Sequence, residues 1–257
     1  MSDVKRFFHY NACAHALSGR LTRPVQHEIE VQAATSLPTI GGHGNSRVEN
    51  FRVKEFISVK AAYSHVSGSE HVGEDGKVFH TTLSTATLEG LNILDVITAD
   101  RVVARVSAFW VEPNYYTHFN FSGSHFENLK IAGCPVTANL ESRLVTDLPT
   151  FPDVIKEDKD LCGETKIDPL AGVMHCTLLN SITGKIHGMQ PTRHEHIIKI
   201  PHFGEVFLAE VLVEPNRRTL TMIRLVLGSP VGGTVIGGQT AANGRTYPPV
   251  PPPDDGN

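Results

Sequence analysis

Charge is scarce in this chain. Its 23 Lys and Arg and 27 Asp and Glu leave a net charge of −4 over 257 residues. No basic excess gathers anywhere, which argues against a nucleic-acid partner. No apolar run reaches the ~18 residues of a membrane span. Hydrophobic residues still make up 40%, too many for a disordered chain. Cysteine is sparse too. Cys13, Cys134, Cys162 and Cys176 stand far apart with no C-x-x-C pair. That reads as the reduced thiols of a cytoplasmic protein, with one disulfide pair as the alternative. The motifs G-x-S-x-G, G-x-G-x-x-G, H-E-x-x-H and the P-loop are all missing. Gly184-Lys185 is followed by Ile186, so the hydroxyl that would hold Mg²⁺ is lacking. Nucleotide-driven chemistry is therefore not expected.

Lys5 and Arg6 precede Phe7-Phe8, as in a secretory signal, but His9, Asn11 and His15 break the apolar stretch. The expectation is a chain without a signal peptide, hence cytoplasmic. Asn120-Phe121-Ser122 would be a glycosylation acceptor only in a secreted eukaryotic protein.

What the sequence does hold is a period of two. Phe7, His9, Asn11, Cys13, His15 and Leu17 alternate with Phe8, Tyr10, Ala12, Ala14 and Ala16. Ile57, Val59, Ala61 and Tyr63 oppose Ser58, Lys60 and Ala62, and Val102 to Trp110 line another face. Phe207, Ala209, Val211 and Val213 oppose Glu210, Leu212 and Glu214 before the turn at Pro215-Asn216. Successive side chains leave a strand on opposite sides, so these are half-buried strands, the last pair a hairpin over 206–227. One helix is predicted near 151–162, from Thr150 as N-cap, Pro152 in the first turn and Asp153 three residues after the cap. Val154, Ile155 and Leu161 would face its core. Gly41–Asn45 and Gly68–Gly76 read as loops, and the Pro-rich 247–257 as a mobile extended tail. The fold expectation is all-β, a β-sandwich or a short stacked-sheet β-solenoid, with 1–246 as one domain.

Three segments share a kernel: Val48-Glu49-Asn50-Phe51-Arg52-Val53, Leu88-Glu89-Gly90-Leu91-Asn92-Ile93 and Phe126-Glu127-Asn128-Leu129-Lys130-Ile131. Each places Gly or Asn where a backbone would need a positive φ or a bulge. This points to pseudo-symmetric β units, with chance similarity of alternating strands as the other explanation.

Ala86 to Val102, Phe126 to Val136 and Ile223 to Gly237 resemble the choice-of-anchor P family of bacterial proteins. The resemblance implies a β-rich module of extracellular type, with surface or extracellular location as the alternative to the cytoplasm. It carries over no catalytic residue.

Histidine is the unusual count, at 14. In His194-Glu195-His196 the two imidazoles would share one strand face and could share a metal, with a polar turn as the alternative. His118, on a face with Asn120 and Ser122, is a candidate general base, or part of a solvent-facing polar row. Trp110, Tyr115 and Tyr116 could form an aromatic platform for a glycan. The leading functional reading is a non-catalytic β-scaffold, a homo-oligomer that self-assembles or binds a protein or glycan partner without a cofactor. The alternative is an enzyme with a His-lined, transition-metal-dependent site in a barrel or sandwich mouth.

Overall fold

The structure is a computed structural model that describes residues 7–112, 116–140, 147–156, 173–184, 190–191 and 197–247. Strand makes up 74% and helix 3%, in antiparallel sheets that do not close into a barrel. The all-β expectation holds, in its sandwich form.

The chain opens with β1 (Phe7–Arg23), β2 (His27–Gln32), β3 (Thr35–Ser36) and β4 (Gly42–Val53). Three long strands follow, β5 (Ile57–Val72), β6 (Val78–Ile93) and β7 (Ile97–Val111). Short ones come next: β8 (His118–Asn120), β9 (His125–Glu127), β10 (Lys130–Ile131), β11 (Cys134–Pro135) and β12 (Thr137–Leu140). After the helix α1 (Phe151–Lys156) lie β13 (Met174–Thr177), β14 (Leu179–Thr183), β15 (Gln190–Pro191) and β16 (Ile197–Ile200). The chain closes with β17 (Gly204–Glu214), β18 (Arg217–Leu227) and β19 (Gly232–Tyr247). One sheet runs β15-β16-β17-β18-β19-β1-β2, with β13 beside β17 and β3 beside β1. The other runs β11-β10-β7-β6-β5-β4, with β8 and β9 beside β7. β12 and β14 pair separately. The expected hairpin is β17–β18, where Glu214 faces Arg217 across Pro215-Asn216.

The three kernels are structural equivalents. Asn50, Gly90 and Asn128 adopt φ of 51°, 61° and 49°. Flanking pairs such as Glu49–Ala61, Glu89–Arg101 and Arg101–Glu127 set these residues in one transverse row with Lys60 and Asp100. Strand register is the same on both sides, so the row is a crease across the sheet and not a set of bulges. The turns beyond it stack: Leu94 N–H donates to the Phe56 carbonyl, and Ala132 N–H to that of Val96, both at 2.7 Å. The opposite sheet has a matching crease, with Ala209 at φ 51° and Gly238 at φ 64°.

The crease inverts the alternation. In β5 the buried series is Ile57, Val59, Ala61 and then Ala62, Ser64, Val66. Tyr63 therefore turns outward and Ala62 inward, against the simple period-two reading. Likewise Val206 and Leu208 are buried before Ala209, and Val211 and Val213 after it. Phe207, expected inside, lies on the other face under the Arg224 guanidinium, 3.6 Å from its ring centroid.

The interior is built from small residues. Ala12, Ala14, Ala16, Ala86, Ala104 and Ala242 are fully buried. Cα atoms of β1 come within 8 Å of those in β5 and β6, and Cα atoms of β19 within 8 Å of β6 and β7. Ordinary stacked sheets stand about 10 Å apart. Hydroxyls bridge this narrow gap: Ser84 donates to the Cys13 carbonyl at 2.8 Å and shares a hydrogen bond with Thr240.

Other expectations shift in detail. Thr150 N–H donates to the Asp153 carboxylate at 3.1 Å, the predicted capping arrangement, and Val154 is buried. Ile155 is not in the core but 42% exposed. Leu161 lies outside the described residues. The glycines at 42 and 44 belong to β4 and not to a loop, and β5 runs on to Val72 before the turn at Gly73. Tyr247 ends β19, and the rest of the Pro-rich tail lies outside the described residues. Cys13 and Cys134 are free, but Cys176 is disulfide-bonded, which corrects the reading of reduced thiols.

Candidate functional site

At one end of the sandwich the two sheets part into a cleft of about 600 Å³. Its floor begins with a cross-strand row: Glu70 on β5 faces His80 on β6, which faces Trp110 on β7. Tyr10 reaches over from β1 in the other sheet, and its hydroxyl shares a 2.9 Å hydrogen bond with His80 Nδ1. The Phe8 ring lies flat on the imidazole, centroids 4.0 Å apart and planes within 3°. Trp110 backs both rings, at 5.4 Å from Phe8 and 5.6 Å from His80.

Glycines make this packing possible. A Cβ at Gly68 would sit 2.7 Å from the Tyr10 ring, and one at Gly41 would sit 3.1 Å from it. A Cβ at Gly244 would lie 2.2 Å from Phe8. The rings are therefore held in one arrangement, a preorganised floor.

Burial pushes the His80 pKa down, and the Glu70 and Glu112 carboxylates oppose that shift. Tyr10 is pushed up to about 12, first by burial and then by Glu70. His80 is 7% exposed, with its face under Phe8 and Nδ1 engaged. It is a fixed, neutral hydrogen-bonding group rather than an open base. The rim combines Glu70 and Glu112 with Thr39 and the Ser69 backbone, and among the described residues it includes no Lys or Arg. Phe7, 56% exposed, and Ile40, 90% exposed, flank the opening.

None of the residues singled out from the sequence forms this site outright. Trp110, expected on an exposed platform, is 3% exposed because it supports the cleft from behind. Tyr116 is half-buried elsewhere, and Tyr115 lies outside the described residues. His118 is half-buried on β8, where Phe119 and Phe121 point inward and Asn120 and Ser122 outward. Asn120 accepts from the Ser122 N–H at 2.6 Å, a local turn contact. His194 and His196 lie outside the described residues. Among the described residues, no group of three or more His, Cys, Asp or Glu side chains could hold a metal ion. Nor is any described helix long and apolar enough to cross a membrane.

A buried cation stands apart from the cleft. Arg218, 2% exposed, lies over the Phe119 ring at 4.5 Å and donates to the carbonyls of Glu214 and Arg217. Burial lowers its pKa to about 9, with Glu214 opposing.

The second open feature is a sheet edge. Among the described residues β4 is an edge strand that pairs only with β5, and His43, Asn45, Arg47 and Glu49 on it are exposed. Arg47 and Glu49 form a 2.7 Å ion pair along the strand.

The chain matches the family described as "Domain of unknown function (DUF8256)" over residues 8–169 and 156–214. It belongs to that family. The match spans both sheets: the DUF8256 region includes nearly all of β1, the crease of the β4–β7 sheet and β17, and it stops before β18. No curated protein and no solved structure matches the chain.

Proposed function

We propose that this DUF8256 chain is a non-catalytic β-scaffold that works by association, pairing β4 with β4 of a second copy. The observation that carries this reading is the outer edge of β4, which pairs with no other strand among the described residues. An edge strand presents a row of free N–H and C=O groups that another strand can complete. Its charges favour one register. With Ser46 on a two-fold axis, an antiparallel pair sets His43 against Glu49 of the second copy and Asn45 against Arg47. Both contacts occur twice, as an isologous interface requires. Moving the axis to Arg47 would oppose two guanidinium groups, and to Glu49 two carboxylates. The Asn50 crease ends the pairing segment beyond Glu49. The disulfide at Cys176 and the resemblance to anchored bacterial proteins favour an oxidising, extracellular setting for such a scaffold.

Size-exclusion chromatography with light scattering tests it. A species of twice 28.1 kDa is expected in the micromolar range. Asn45→Arg puts like charges opposite each other twice and should weaken the dimer several-fold, whereas Asn45→Glu should strengthen it. A monomer at every concentration, or equal effects of the two substitutions, would overturn the reading.

A further inference from the structure

We propose that the β4–β4 interface carries a divalent transition-metal site, completed only when two copies of the chain meet. The inference rests on the association reading and names a ligand for the same edge. β4 and β5 pair so that Asn45 faces His65 and His43 faces Ser67. His43 and His65 therefore stand on one cross-strand diagonal, a spacing that long and aromatic side chains span. Their shared face is the outer one, because a Cβ on Gly44 would point toward Val66, which is fully buried. Both histidines are exposed, and the small Ser67 leaves the space opposite His43 open. Among the described residues, neither imidazole has a hydrogen bond, an ion pair or a ring contact.

Two imidazoles are one ligand short of a protein metal site. Among the described residues of one chain, no third His, Cys, Asp or Glu joins them. A second copy supplies it. With Ser46 on the two-fold axis, Glu49 of the second copy lies directly opposite His43 on the same outer face. Glu49 meets Arg47 through Oε1 at 2.7 Å, which leaves Oε2 for the ion and offsets the guanidinium charge. The axis repeats the arrangement, so a dimer has two sites and each chain binds one ion. Two imidazole nitrogens and a carboxylate oxygen suit zinc, with water in the fourth position. Mg²⁺ and Ca²⁺ prefer shells of oxygen and fit poorly. An ion that finds all its ligands only in the dimer must favour the dimer.

Sedimentation velocity of the untagged full chain tests this, in EDTA and then with one to ten equivalents of zinc chloride. Zinc should lower the dimer dissociation constant about ten-fold or more, and magnesium chloride should leave it unchanged. Elemental analysis of the dialysed dimer should find one zinc per chain. His65→Asn changes an exposed residue outside the β4–β4 pairing. It should leave the zinc-free dimer as it is and abolish the response to zinc. A chain that stays monomeric with and without zinc would overturn the association reading and this site together. A dimer in EDTA that zinc does not strengthen would overturn the site alone, as would a zinc response that survives His65→Asn.

Discussion

His80 loses proton affinity although two carboxylates stand near it, because burial under Phe8 outweighs Glu70 and Glu112. The consequence for stability has a definite sign. Its folded pKa lies below the unfolded value of 6.5, so the unfolded chain takes up the proton first as pH falls. Stability is lost as pH drops through the range just below 6.5. His15, lowered by burial as well, acts in the same direction. Tyr10 works at the other end of the scale. The unfolded phenol ionises from 10.0 while the folded one holds its proton to about 12, so stability falls across that interval as pH rises. Urea midpoints measured against pH should therefore decline on both flanks. His80→Phe should flatten the acid flank in part, leaving the His15 share, and Tyr10→Phe should flatten the alkaline one. Unchanged slopes would show that neither group is held as described. Nothing in the sequence announced this pair: Tyr10 and His80 are 70 residues apart and meet only across the sandwich. The histidines that drew notice were close neighbours in sequence, and proximity along the chain is not what assembles this cleft.

At the scale of elements, alternation revealed the strands and the kernels revealed the crease. It does not reveal where the inward face inverts: in β17 this happens at the left-handed Ala209, and in β5 at Lys60, opposite the left-handed Asn50 and Gly90 of its neighbours, so the structure places Tyr63 and Phe207 on the faces opposite to those that simple alternation predicts. Asn50 and Asn128 tolerate this conformation because a short polar side chain can bond locally. Asn128 bonds across strands and not locally, donating to the Asp100 carboxylate of β7 at 2.6 Å. Gly90 needs no such bond but has no room either, since a Cβ there would meet Lys60 Cβ at 2.9 Å. Gly90→Ala should thus lower unfolding free energy by about 1–2 kcal/mol through backbone strain, plus the cost of displacing Lys60. Gly90→Asn, the residue its two counterparts use, should cost less. Chemical denaturation of the two variants decides it, and an alanine as stable as glycine would mean the crease is not strained at this point.

For the molecule as a whole, the narrow gap between sheets is the feature that ties the ends together. Alanine at 12, 14, 16, 86, 104 and 242 lets β1 and β19 approach β5, β6 and β7 closely, and the cleft opens where aromatic rings take over from alanine. The alanines were legible as one face of alternating strands; their closeness was not, because sheet spacing depends on which small residues meet across the interior. Ala86→Leu would insert three carbon atoms where both sheets already touch. Overpacking of this kind costs about 1–3 kcal/mol as side chains leave their rotamers and backbones shift. Val226→Leu adds a single carbon on the outer, part-exposed face and should stay within about 0.5 kcal/mol of the parent. The pair also separates local from global effects. If Ala86→Leu wedges the sheets apart, Trp110 fluorescence should shift in the native state even before denaturant is added, because its floor is built from both sheets. Equal stability of the two variants would mean that the interior has room to spare, and that the cleft does not depend on the close approach of the sheets.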